Sequence, residues 1–270
     1  KKYPFLMSRT PYTVAPYGED KYKLSLGTFP ALMREGFIFV YQDVRGRWMS
    51  EGTFDDIRPQ TLKKGPKDID ESTDTYDTID WLVKNIANNN GKAGQYGTSY
   101  PGFYTAVGTL ANHPALVASS PQAPISDFFF DDFHHNGAFV IGYFKTFPVF
   151  GVQKDKPTQE HWFGKDMIKK TSDDGLVFYN ELGTLKEGVD TYYKDNFFMQ
   201  EIMEHPNYDV FWQKRNRNIT SIFIIRFLMT MIGIQIFVIF VFKFIGQKFK
   251  KIVVEFDDLR ITSVVSFERK

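Results

Sequence analysis

The stretch that most constrains this chain is Gly97-Thr98-Ser99-Tyr100-Pro101-Gly102. Lys92 to Tyr96 before it has strand character, and Phe103 to Leu110 after it is a small-residue run of helical length. A serine on a sharp strand-to-helix turn projects its hydroxyl above the sheet. The helix that starts there aims free backbone N–H groups at any oxyanion forming nearby. Gly-x-Ser alone occurs in many surface turns, and it is the strand–turn–helix setting that marks Ser99 as a nucleophile.

The flanking sequence repeats the alternation. Tyr3 to Ser8 reads as a buried strand, broken at Arg9-Thr10-Pro11-Tyr12, where proline enforces an extended or turning path. Lys23 to Glu35 has helical spacing and stops at Gly36. Phe37 to Gln42 is a continuous apolar run, as expected of a parallel strand covered on both faces. Asp43-Val44-Arg45-Gly46-Arg47 then leaves that strand as a charged loop, at the end of the sheet where open α/β folds build sites.

Asp68 to Asn85 is the clearest amphipathic helix, with Ile69, Thr73, Tyr76, Ile79, Trp81 and Leu82 at helical spacing. Its acids come early, where the macrodipole favours them. Leu116 to Ser120 is a further strand. The order predicts an α/β fold on a mostly parallel sheet.

The 270 residues suffice for one sizeable core and a second small unit. Basic and acidic side chains nearly balance at 33 and 32, which argues against nucleic acid or another polyanion as partner. Cysteine is absent, which excludes disulfides and thiolate chemistry. The chain enters on Lys1 and at once on a strand-like run, so upstream strands and an export signal are expected to be missing.

From Asp127 the patterning turns helical and aromatic, with helices expected over Tyr192 to Met203 and Val210 to Arg217. The expected organisation is a core over 1–126, a helical cap over 127–220 and an atypical hydrophobic tail over 221–270. Phe227 to Phe242 carries no charge and as a helix would span roughly 24 Å, just short of a bilayer core. Three readings of the tail stay open: a membrane helix flanked by Lys248, Lys250 and Lys251, a buried strand pair, or a stretch out of frame or truncated.

With Arg9-Thr10-Pro11-Tyr12, Asp43-Val44-Arg45-Gly46-Arg47, Gly97-Thr98-Ser99-Tyr100-Pro101-Gly102 and Asp131-Asp132-Phe133-His134 in order, the chain resembles the CocE/NonD hydrolases. These include cocaine esterase, the α-amino acid ester hydrolases (β-lactam acylases) and the X-prolyl dipeptidyl peptidases. Asn112 to Leu116 and Asn136 to Phe139 look most like the ester hydrolase branch. The resemblance implies an α/β-hydrolase core with a helical cap and no cofactor or metal. It also implies a periplasmic or secreted parent enzyme and a small or short-peptide substrate with a free α-amino group. Homo-oligomerisation of the parent is left open.

Carried over residue by residue, Ser99 is the acyl nucleophile, and Tyr100 supplies a backbone N–H and Tyr12 a phenol to the oxyanion hole. Asp132 is one acid of the cluster that holds the substrate's α-ammonium. Without the resemblance, Tyr12 reads equally as a rim tyrosine and Asp132 as a solvated acid. Asp43 and Arg45 look structural. The family's Gly-Trp-x-Asp segment and later Gly-Pro-x-x-His loop do not occur, and no histidine follows His205. Adjacent His134 and His135 make no metal pair, since neighbouring side chains rarely converge on one ion. A serine without a base is a poor nucleophile near neutral pH, so the chain is expected to turn over poorly or not at all. The alternatives are an X-prolyl dipeptidyl peptidase and a non-catalytic hydrolase-fold protein that binds peptides or amino acyl ligands, tethered to a membrane through Phe227 to Phe242.

Overall fold

Four strands form in the expected places: β1 (Tyr3–Thr10), β2 (Ile38–Asp43), β3 (Asn89–Thr98) and β4 (Leu116–Gln122). They pair entirely in parallel, in the order β2-β1-β3-β4. The structure is a computed structural model. It describes residues 1–26, 30–61, 64–65, 67–162 and 174–216, together with the short paired strands at 252–253 and 264–265. The stretch 227–242 lies outside the described residues. Among those described, no helix is long and apolar enough to cross a membrane.

Alternation along β1 explains the layering. Phe5 and Met7 face helix α2 (Glu71–Asn85) through Ile79 and Leu82, whereas Leu6 faces helix α1 (Pro30–Glu35) through Leu32. Helices therefore cover both faces, as a wound parallel sheet requires. Helix α1 is shorter than the spacing predicts. Its first residue is Pro30, whose missing N–H suits the opening of a helix and no later position.

Helix α2 departs from expectation in a more informative way. Ile69, Tyr76 and Trp81 are largely exposed, and the face that enters the protein in the first turns is polar: Glu71, Ser72, Asp74 and Thr75. The cause is Arg9 of β1, buried beneath them. It donates to the Glu71 carbonyl at 3.0 Å and to Thr75 Oγ1 at 2.9 Å, and pairs with the Glu71 and Asp74 carboxylates at 3.3 and 3.8 Å. Arg45 closes the set as a fork on Asp74, at 2.9 and 2.5 Å. Periodicity recognises apolar faces only, so a helix buried on ion pairs misleads it.

Asp70 caps α2, accepting from the backbone N–H of Ser72 and Thr73 at 2.9 and 3.0 Å, while its own backbone N–H donates to Thr73 Oγ1 at 3.0 Å. Its other oxygen accepts from Thr61 N at 3.2 Å. Asp70→Ala is expected to lower stability by about 1–2 kcal/mol. Urea unfolding measures this; an unchanged midpoint would show that water replaces the carboxylate without loss.

After β4 the chain makes one π-helical turn (Phe129–Phe133) and a two-residue hairpin, β5 (His134–His135) against β6 (Ala138–Phe139). The purely helical expectation misses this hairpin. Asn136 and Gly137 turn it with φ of 51° and 84°, the left-handed pair that matches strand twist. Helices α3 (Tyr100–Gly108), α4 (Gly175–Glu181), α5 (Leu185–Tyr192), α6 (Phe197–Glu204) and α7 (Val210–Arg215) complete the described elements. The single helix expected from Tyr192 is divided by a turn before α6, where Asn196 caps the new start. One aromatic cluster runs from Tyr100, Phe103 and Tyr104 of α3 through Phe128, Phe133, Phe198 and Trp212. The chain's many aromatic residues thus join the sheet's third helix to everything that follows β4.

Candidate active site

Strand β3 ends at Thr98 and α3 begins at Tyr100, so Ser99 alone makes the turn. It does so at φ 63° and ψ −123°, a backbone conformation that side chains other than glycine rarely adopt. Two glycines permit it. A Cβ on Gly97 would collide with the Pro101 carbonyl, and one on Gly102 with the Gln122 carbonyl of β4. Ser99 N donates to that Gln122 carbonyl at 3.0 Å, which locks the turn to the neighbouring strand. The Ser99 side chain is exposed and does not cap the helix. The N–H groups of the first turn of α3, Tyr100 foremost, have no intrahelical acceptor and carry the positive end of the dipole.

Tyr12 leaves the end of β1. Because β2 lies on one side of β1 and β3 on the other, the winding reverses between β1 and β3. Tyr12 and Ser99 both emerge at that switch point, where such sheets bind ligands. The Tyr12 ring meets Tyr100 edge-on, with centroids 6.2 Å apart. Burial, then the negative fields of Asp132 and Asp56, push its phenol up to about 12 against the opposing charge of Arg47. Tyr12 is therefore a neutral donor at any physiological pH.

Asp132 is half-buried, and Tyr143 donates to its Oδ1 at 2.6 Å. Its Oδ2 is buried with no hydrogen-bond partner. Burial raises its pKa, against the Tyr143 hydrogen bond, and Asp131 adds to the rise. Tyr12, Tyr100 and Asp132 thus share one neighbourhood, and Ser99 joins it through the backbone of Tyr100. Asp43 is structural as expected, accepting from Val14 N at 3.0 Å and from the Tyr17 hydroxyl at 2.6 Å.

The histidines are occupied elsewhere. His113 sits between Tyr76 and Asp80, His134 stacks on Phe129, and His161 lies edge-on to Trp48. His205 pairs with Asp209 at 2.6 Å, and His135 is exposed on its hairpin. None of these contacts reaches Ser99, and its hydroxyl has no hydrogen-bond partner among the described residues. Nor do those residues hold a cluster of three metal-ligating side chains.

Two charged residues that sequence reasoning did not single out for a role are fully enclosed: Arg47 and Asp56. Asp56 accepts from the Tyr100 hydroxyl at 2.9 Å. The available signal was an acidic doublet, Asp55-Asp56, set between Phe54 and Ile57.

The family model for X-Pro dipeptidyl-peptidase (S15 family) matches residues 1–231. A solved α-amino acid ester hydrolase is similar with a TM-score of 0.66 at 32% identity, over 80% of this chain and 35% of that one. An aminopeptidase from the marine sediment archaeon Thaumarchaeota archaeon is similar with a TM-score of 0.65 at 32% identity, again over 80% of this chain and 35% of its own. The chain thus spans about a third of the length of these relatives. Comparison with curated proteins returns no match. The α/β-hydrolase architecture and the hydrolase relationship read from the four motifs are borne out, and the chain belongs to the S15 family of hydrolases.

Proposed function

We propose that the chain carries the nucleophile, oxyanion hole and amine anchor of a serine hydrolase acting on α-amino acyl esters, amides or peptides. The observation that carries this reading is the one-residue turn at Ser99, held at positive φ between glycines that have no room for a side chain. Ser99 Oγ attacks the carbonyl and forms an acyl-enzyme that water hydrolyses. The Tyr100 N–H and the Tyr12 phenol receive the developing oxyanion. Asp132, one oxygen held by Tyr143 and the other unpartnered, receives the substrate ammonium. The segment from 127 serves as a cap over the strand ends.

The base that deprotonates Ser99 comes from outside the described residues, and without it turnover is slow. The kinship with an aminopeptidase and an ester hydrolase supports a free-amine substrate, and X-prolyl dipeptides are the rival within the same chemistry. Export of the parent enzyme rests on the family resemblance alone.

The test is a matched pair of phenylglycine esters, one with a free amine and one N-acetylated. Hydrolysis of the free-amine ester alone is expected; equal rates would sink the amine anchor. Tyr12→Phe deletes one oxyanion donor and should slow acylation about 10²–10³-fold with the fold intact. Stopped-flow acylation kinetics check this, and a rate within twofold of wild type would remove Tyr12 from the hole.

A further inference from the structure

The two proposed oxyanion donors lie on different strands' ends, yet each is tied to the same four residues after β4. On the Ser99 side, the Tyr100 hydroxyl donates to Asp56 Oδ1 at 2.9 Å and accepts from Ile57 N at 3.0 Å. The second oxygen of Asp56 accepts from Gly151 N at 2.6 Å. On the Tyr12 side, Arg47 Nε and Trp48 Nε1 both donate to the carbonyl of Pro11, the residue before Tyr12, at 3.1 Å. The rest of the Arg47 fork reaches the carbonyls of Val149 at 2.6 Å and Val152 at 3.1 Å.

Neither charge is where chemistry would place it cheaply. Asp56 and Arg47 are both completely enclosed, and their hydrogen bonds run to Tyr100 and to backbone rather than to each other. A buried carboxylate and a buried guanidinium each cost several kcal/mol unless their hydrogen bonds are well made. Apolar residues would fill the same space without that cost. What the charges supply is direction: each has a fixed fork that joins a site loop to the 149–152 backbone. Gly151 is part of the fit. At φ 61° it lies so close to Asn196 that a Cβ would overlap the Asn196 side chain.

We propose that Asp56 and Arg47 are positioning residues for the oxyanion hole, each bracing one of its two donors against the shared segment Val149–Val152. The proposal rests on the reading of Ser99, Tyr100 and Tyr12 given above. Asp56 acts through the Tyr100 side chain on the Tyr100 N–H, and Arg47 acts through Pro11 on the Tyr12 phenol. The hole then holds its geometry only while 149–152 is seated, so the segment after β4 controls both donors at once.

Two double-mutant cycles test this, read as rates of Ser99 labelling by a fluorophosphonate with imidazole supplied as base. Asp56→Asn and Tyr100→Phe should each slow labelling roughly 10- to 100-fold, the cost of a small misplacement of a reacting group. The pair together should be no slower than the worse single change. Arg47→Lys should behave likewise, with its effect lost in a Tyr12→Phe background. Effects that multiply, or thermal unfolding that shifts while labelling does not, would reduce both residues to core packing and overturn the proposal.

Hydrogen exchange supplies an arm independent of Ser99. Tyr100→Phe, which cannot itself bond Gly151, should speed exchange of the 149–152 amides; a change confined to Ile57 would overturn the brace. Wild-type protein that labels at another residue would instead remove the Ser99 reading and leave the exchange result standing.

Discussion

Ser99→Ala is expected to abolish fluorophosphonate labelling of this protein. The probe needs a nucleophile whose oxygen can approach phosphorus in line while the departing charge and the P–O oxygen are stabilised. Among the described residues, Ser99 is the one serine presented at positive φ on the turn between a parallel strand and a helix N-terminus. Alanine keeps the turn, since the strain lies in the backbone and a Cβ is already accommodated there. Loss of labelling is therefore loss of the oxygen and not of the fold. In serine hydrolases, deleting a triad member leaves only about 10³–10⁴ of the rate over water, supplied by the oxyanion hole and binding. Intact-mass spectrometry reads the result directly, and an adduct that survives the substitution refutes the assignment. Since no base reaches Ser99 among the described residues, added imidazole should speed labelling of the wild type. A wild type indifferent to imidazole would mean that a base is already in place beyond them.

Asp56→Asn is expected to remove a pH dependence of stability between about pH 4 and pH 7. Burial pushes the Asp56 carboxyl up to about 7, against the Arg47 charge and the hydrogen bonds from Gly151 and Tyr100, while Asp55 adds to the rise. The groups whose fields reach it are Arg47, Asp55, Tyr12, Tyr100 and Tyr104. An unfolded aspartate releases its proton near pH 3.9, so through this window the native state holds a proton that the unfolded state has lost. Stability present below about pH 4 is accordingly lost as pH rises through about 7. The full span is about 4 kcal/mol, from roughly three pKa units at 1.36 kcal/mol each. Asparagine does not titrate. Its weaker hydrogen bonds add an offset that is the same at every pH, so the slope is the observable. Urea unfolding at pH 4.5, 6 and 7.5 should show the variant gaining on the wild type at each step. A constant difference would mean that Asp56 is ionised, and compensated, throughout.

The sheet was legible because its signals are local. Continuous apolar runs, the stop at Gly36 and the small-residue turn at Ser99 each act within about ten residues. The hairpin at Asn136-Gly137 was equally local, and it was lost only because aromatic density around it was read as helix. Helix α2 failed differently. Its buried acids make sense only once Arg9, more than sixty residues earlier, is placed beneath them. Asp56 and Arg47 were hidden for the same reason, since their burial is made by Gly151, Val149 and Val152, about a hundred positions away. Of the candidate site, Ser99 follows from the turn itself, whereas the roles of Tyr100, Tyr12 and Asp132 needed the family pattern, because Tyr12 and Asp132 sit in no distinctive local setting and the turn alone names no particular oxyanion donor.

The aromatic cluster that joins α3 to Trp212 also sets an order of events in time. Tyr12, Phe54 and Ile57 precede α3 in the chain, but Phe128 and Phe150, which meet the Tyr100 ring, follow it, and Phe198 and Trp212, which complete the cluster, come later still. At about 5–20 residues per second, the ~110 residues between Tyr100 and Trp212 represent roughly 5–20 s of synthesis. Throughout that interval the aromatic cluster beside α3 is incomplete. Contacts of such wide sequence separation also form slowly once both partners exist. The helix that follows Ser99 thus shares a core completed late in synthesis, and the aromatic surface that waits for it is an aggregation hazard of the nascent chain.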